Sequence, residues 1–307
     1  MWTEAFDLGV VLPLAFPESR ESEQGLLASL DYLLTDTDFG AVELGPIADK
    51  SLREKVRSLT ALAQMQVVYL PILPMIYNNM PLGSADRGAR QAALQQAQQL
   101  IDEATEVGAT LAMVASPPDP GPEAREAMVE RLAEDLRSLS DYADSRSHYR
   151  RLFLTLENFD RDVEKKRLIG PTVEAAALAR AIDRDNFGLT IDLSHLPLLE
   201  EHPADALNAA QDVILHAHIG NCVADNPNDP LYGDFHPRFG YPSSANDVDD
   251  VVAYLQALRT VNYFQRVGER LGSRPIVSFE IKTQPGESPR YILANGKRTV
   301  ARALSRL

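Results

Sequence analysis

Four short apolar runs in this chain each end in a residue that can bind a metal or move a proton. They are Arg151-Leu-Phe-Leu-Thr-Leu-Glu157, Phe187-Gly-Leu-Thr-Ile-Asp192, Val213-Ile-Leu-His-Ala-His218 and Pro275-Ile-Val-Ser-Phe-Glu280, and runs of this length and type read as buried strands. A carboxylate at the end of a buried strand is costly unless something compensates its charge. Three of them converging on one cavity would repel one another unless a cation sat among them. One imidazole with three carboxylates is a borderline-to-hard donor set, suited to Mn2+ and also to Mg2+, Co2+ or Zn2+. The expected metal ligands are therefore Glu157, Asp192, His218 and Glu280.

A second group surrounds the first. His195 follows Asp192 by three positions, and Asp234-Phe-His236-Pro-Arg238 lies in a long loop after the His218 strand. Both segments are expected at the mouth of the site. His216 shares one side of its strand with His218 and is expected to pack behind it. Glu43, ending an earlier strand-like run, is a weaker site candidate. His148 and His202 read as surface residues. Cys222 reads as filler, because a catalytic thiol needs a general base and a task that a metal would already perform.

The elements that must carry these residues alternate from end to end. Strand-like runs at Phe6–Leu12, Gly40–Leu44, Val67–Leu73 and Thr110–Ala115 precede the four above. Between them lie helical stripes: Leu26 to Leu34, then Leu52, Val56, Leu59 and Leu62, then Ala93, Ala97, Leu100, Ile101 and Ala104 ending at Gly108,. Further helices are expected after Pro122, from about Thr172 to Arg184, near Pro203 to Ala210, over Val248 to Leu258, and from about Pro289 to Ser305. Eight strand–helix units with no linker-like break predict an α/β protein built as one (β/α)8 TIM-barrel domain over residues 1–307,. In that architecture the active site lies at the carboxyl ends of the strands. The competing doubly wound sheet would show a Gly-rich phosphate loop after an early strand, and none is present.

Composition narrows the partners. The net charge is −14, and the longest basic cluster is Lys165-Lys166-Arg167. That argues against nucleic acid and anionic membrane, which both require a positive face. No run approaches the roughly 18 apolar residues of a membrane helix. The first residues lack a basic segment followed by an apolar one, so no secretory leader is expected. A single cysteine precludes an internal disulfide and fits a reducing cytoplasm,.

The motifs Leu-Glu157-Asn158, Asp192-Leu-Ser-His195, His216-Ala-His218-Ile-Gly, Asp234-Phe-His236 and Ser-Phe-Glu280 resemble those of the xylose isomerase-like barrel superfamily. That superfamily contains sugar isomerases, ketose 3-epimerases and endonuclease IV. The resemblance implies a metal-dependent isomerase or epimerase of carbohydrate metabolism that abstracts a proton beside a keto-sugar carbonyl. Glu157, Glu280 and His195 are then the catalytic candidates, and Asp234, His236 and Arg238 the substrate contacts. The ketose 3-epimerases usually carry Gly-Glu and an Arg after the strand-seven histidine. Here Gly220-Asn221-Cys222 stands instead, so Asn221 is the residue expected against the substrate. Endonuclease IV also needs histidines after its third and fourth strands, where this chain has Tyr69-Leu-Pro and Val114-Ala-Ser116. The Asp234–Gly240 loop and Phe279-Glu280-Ile-Lys-Thr-Gln-Pro-Gly look similar to the metal-dependent subunits that cleave 3-oxo-C-glycosides, a lyase alternative. The implied partners are a small carbohydrate or glycoside and either further copies of the chain or a small second subunit.

Overall fold

The computed structural model describes residues 5–147 and 150–307; His148 lies outside them. Its strands are β1 (Asp7–Val10), β2 (Ala41–Leu44), β3 (Gln66–Tyr69), β4 (Leu111–Ala115), β5 (Phe153–Glu157), β6 (Phe187–Asp192), β7 (Ile214–Gly220) and β8 (Ile276–Glu280). Its helices are α1 (Leu12–Ala15), α2 (Glu23–Thr35), α3 (Lys50–Leu62), α4 (Ile72–Tyr77), α5 (Arg87–Glu106), α6 (Pro122–Arg146), α7 (Thr172–Ile182), α8 (Pro203–Ala209), α9 (Val248–Thr260), α10 (Tyr263–Leu271) and α11 (Pro289–Leu304). The strands form one eight-stranded sheet in the order β1-β8-β7-β6-β5-β4-β3-β2. A parallel bridge between Val11 and Glu43 joins the two ends of that order. The fold is the expected (β/α)8 barrel.

The chain divides into two compact units, Met1–Glu43 with Ile191–Leu307, and Leu44–Thr190. In the first, β8 pairs in parallel with β1 and β7, in the register Val10↔Phe279, His218↔Ser278 and Gly220↔Glu280. These strands are buried almost throughout, as parallel strands covered on both faces must be,. Glycine at position 9 leaves room for Ser278, whose Oγ a Cβ there would meet at 2.1 Å. The outer helices are pinned to strand backbone by buried tyrosines: Tyr254 Oη donates to the Ile191 carbonyl at 2.6 Å, and Tyr263 Oη to Ile276 at 2.8 Å. Helix α9 opens on a capping box of Asp247 and Asp250, which satisfies amide groups that the first turn leaves free.

In the second unit β3, β4, β5 and the start of β6, as far as Thr190, follow one another, with Ala115 opposite Glu157 and Glu157 opposite Thr190. The Thr155 and Thr190 hydroxyls meet at 2.8 Å. The Ala93–Ala104 stripe of α5 is buried, and Gly108 follows the helix at φ +79°, the left-handed conformation that glycine adopts without strain. Asp135 of α6 ties α5 in place by accepting from Arg90 Nε and the Gly83 amide, each at 2.7 Å.

Several expectations are corrected. The first strand stops at Val10, and Leu12 opens α1. The third stops at Tyr69 rather than Leu73, because Pro71 starts the turn that leads into α4. Helix α10 fills the span before β8, burying Tyr263, Val267 and Leu271 at four-residue spacing. Leu62 is 84% exposed. The buried face of α3 is Arg53, Val56 and Thr60 instead. Arg53 is held by Glu106 at 2.6 Å and the Ile47 carbonyl at 2.5 Å, so a paired arginine occupies ground that a leucine stripe would have taken.

Candidate metal and active site

Asp192 is the last residue of β6, Glu280 the last of β8, and His218 lies two residues before the end of β7. The Gly220↔Glu280 register and the bond from the Leu193 amide to the His218 carbonyl (3.2 Å) align the three ends. A Cβ on Gly220 would lie 2.9 Å from the Glu280 carbonyl oxygen, so the close strand approach needs glycine there. One donor atom from each of Asp192, His218 and Glu280 lies within 4.8 Å of the other two. His218 Nδ1 stands 2.5 Å from Glu280 Oε2. Asp192 is 1% exposed, His218 0% and Glu280 8%.

Burial pushes the Asp192 carboxyl up, although His195 opposes it. Burial would also raise Glu280, but His236 and His218 outweigh it and hold Glu280 down to about 2. Buried carboxylates this close to one another and to an imidazole nitrogen are the environment that a divalent cation stabilises. Two carboxylates and an imidazole suit a borderline-to-hard ion, so the residues present fit a metal.

The loop residues gather beside them. His195 Nε2 is 3.6 Å from Asp192 Oδ2 and 3.3 Å from Asp234 Oδ1. His236 Nε2 is 3.0 Å from Asp234 Oδ1 and 3.4 Å from Glu280 Oε1. Asp192, His195 and His236 form a second buried group whose donor atoms are close enough to share an ion. Burial would lower the His236 pKa, but Asp234, Glu280 and Asp192 raise it to about 9. His236 adopts φ +48°, a conformation that costs a non-glycine residue energy and concentrates at functional sites. Its carbonyl accepts from the Lys282 amide at 2.8 Å, which ties the loop to the exit of β8.

The remaining candidates are placed as follows. Glu157 ends β5 in the other unit, 1% exposed, opposite the Thr190 that precedes Asp192 by two residues. Arg238 Nε donates to Glu287 Oε1 at 3.1 Å, with its side chain partly exposed. Asn221 is fully buried: its Oδ1 accepts from the Cys222 and Asn246 amides (3.0 and 2.8 Å), and its Nδ2 reaches the Arg238 carbonyl at 3.4 Å. It thus braces the long loop. Cys222 is buried, and burial raises its thiol pKa further from neutrality. His202 is exposed at the start of α8.

Glu43 and His216 are both fully buried, and Glu43 Oε1 is 2.7 Å from His216 Nε2. Burial lowers the His216 pKa, whereas His218 and His216 outweigh burial and keep Glu43 ionised.

Two residues of the site escaped sequence reasoning. Ser194 Oγ bonds Asp192 and stands 3.3 Å from His236 Nδ1, while its amide donates to Asp192 Oδ1 at 2.8 Å. Asn246 Nδ2 reaches the Leu193 and Gly220 carbonyls, each at 3.1 Å. The Asp-x-Ser spacing, which favours a local side-chain turn, was the available signal for the first. Nothing local announces the second, whose partners are distant in the chain.

The fold and the buried acid–imidazole group define a (β/α)8 barrel equipped to hold a divalent ion. Residues 32–280 match the family described as xylose isomerase-like TIM barrel, and the chain belongs to that family. No curated protein matches the sequence significantly. Among solved structures, a D-tagatose 3-epimerase-like protein has 17% identity and a TM-score of 0.70 over 98% of this chain and 99% of its own. The 3-keto-D-glucoside 4-epimerase of E. coli has 17% identity and a TM-score of 0.67 over 96% and 99%. The IolI protein, solved with a bound zinc atom, has 14% identity and a TM-score of 0.72 over 98% of each chain.

Proposed function

We propose that this chain is a divalent-metal-dependent enzyme that removes a proton from the carbon beside a keto-sugar carbonyl and returns it, an isomerase or epimerase. The observation that carries the reading is the convergence of buried Asp192, His218 and Glu280 within 4.8 Å, at the end of the barrel where such folds conduct chemistry. Glu157, ending β5 opposite Thr190, is proposed as the fourth ligand, and manganese as the ion. Bound there, a divalent ion would supply Lewis-acid polarisation of a substrate oxygen, making the adjacent C–H more acidic.

Glu157 and Glu280 serve as the acid/base pair that takes and returns the carbon-bound proton. His236, held beside Asp234 and Glu280, donates to a substrate oxygen, and His195 orients it. Arg238 holds a hydroxyl or carboxylate, and Asn221 shapes the pocket by bracing the loop. The sugar assignment is supported by likeness in fold to proteins named as a D-tagatose 3-epimerase-like protein and a 3-keto-D-glucoside 4-epimerase. The partners proposed are a small carbohydrate or glycoside, and a second copy or a small subunit against the outer helices.

The test is exchange in D2O. Chelated protein is given Mn2+ and a panel of keto-sugars, and deuterium is followed on sugar carbon. Uptake that depends on metal and is lost in Glu280→Gln supports the reading; full exchange by that variant would sink it. A second reading, elimination from a 3-oxo-glycoside, starts from the same proton abstraction. It is favoured by the fold likeness to an epimerase named for a 3-keto glucoside, and it would appear in the same assay as release of the leaving group.

A further inference from the structure

We propose that Glu43 is a positioning residue for the metal centre: it accepts the Nε2 proton of His218 and so commits that ring to present Nδ1 to the ion, while His216 holds Glu43 in register. The inference rests on the proposed metal site and assigns the contact behind it.

Glu43 Oε1 lies 2.7 Å from His216 Nε2 and 3.1 Å from His218 Nε2, and the two Nε2 atoms are 3.0 Å apart. The imidazoles cross at 84° with centroids 4.7 Å apart, so both rings aim one edge at a single carboxylate oxygen. All three side chains are completely buried. Among the described residues, His216 Nδ1 has no hydrogen-bond partner. A neutral imidazole carries one N–H and one lone pair, and burying an unpaired N–H costs more than burying the lone pair, so the His216 proton belongs on Nε2, facing Glu43. The same oxygen faces His218 Nε2, where a carboxylate attracts a proton and repels a lone pair. Glu280 Oε2, 2.5 Å from Nδ1, competes for that proton. A cation held between them would leave it on Nε2 against Glu43, with the Nδ1 lone pair facing the ion.

Metal-bound histidines characteristically donate their second N–H to a carboxylate, which fixes the tautomer and raises ligand basicity. The location supports the assignment on energetic grounds. Barrel interiors are ordinarily filled by branched apolar side chains, and a buried charge there stabilises the fold poorly compared with a hydrophobe of similar volume. An acid at position 43 is therefore not what packing alone would select there.

The test is Co2+ titration of chelated wild-type protein and of Glu43→Gln, read by visible absorption and calorimetry. Glutamine keeps the volume but removes the charge, and affinity should fall about 10–100-fold with a shifted ligand-field band. Glu43→Asp, which keeps the charge but draws the oxygen back by a methylene, should show the same loss if glutamine compromises folding. Equal affinity and an unchanged spectrum in folded variants would overturn the assignment, even if their melting temperatures fall. Loss of one whole equivalent of Co2+ with the remaining spectrum unchanged would make Glu43 a ligand of its own cation, and also overturns it. Failure of the wild-type protein to take up Co2+ would instead refute the metal site on which the inference rests.

Discussion

His236 sits among Asp234, Glu280 and Asp192, and their combined field outweighs burial and raises its pKa from 6.5 to about 9. A histidine whose pKa is higher folded than unfolded stabilises the protein fully below the unfolded value and loses that contribution as pH rises through the folded one. Metal-stripped protein should therefore lose stability between about pH 6 and about pH 10 by an amount that His236→Gln removes. Urea midpoints across that range measure it, and parallel pH profiles for the two proteins would contradict it. At this scale the strand-end acids and His218 were legible because each closes an apolar run, where its charge needs a partner. Ser194 and Asn246 were not, because a short polar side chain in a loop looks the same whether it braces a site or faces water. The left-handed backbone of His236 was invisible for a related reason: it is imposed by the loop's attachment to the exit of β8, not by the residue's own preference.

Among the elements, a continuous apolar stripe marks its helix in the sequence, and α5 is the clearest case. Its start is set by Asp86, whose Oδ1 accepts from the Gly88 and Ala89 amides at 2.8 and 3.1 Å. Replacing Asp86 with alanine removes that cap and should cost about 1 kcal/mol of stability, measurable by chemical denaturation; a change below about 0.3 kcal/mol would mean that water replaces the cap without loss. Where the elements differ from expectation, the causes are identifiable. Helix α10 is short and crowded with charged residues, so its three buried positions do not stand out. On α3 Leu62 keeps the three-residue spacing from Leu59 but falls on the side of the helix away from Arg53, Val56 and Thr60, and it is 84% exposed. Pro71 ended β3 because it cannot donate to a strand ladder, a signal that the apolar run around it concealed.

For the molecule as a whole, the alternation of strands and helices sufficed to anticipate a (β/α)8 barrel, because each apolar run needs two covered faces and each amphipathic helix covers one of them. The substrate was far less legible, since loops of polar residues set it and their geometry depends on contacts such as Asn221 to Asn246 and Arg238. A bound divalent ion should stabilise the folded chain and not the unfolded one. Mn2+ at a hundredfold excess over its dissociation constant should add about 2.7 kcal/mol, reversed by chelator; an unfolding midpoint insensitive to metal would argue that no resident site exists. If Glu157, Asp192, His218 and Glu280 hold one ion between them, anomalous scattering from a crystal soaked with manganese will show a single peak bonded to those four side chains; an ion bound elsewhere, or none at all, would refute the shared site.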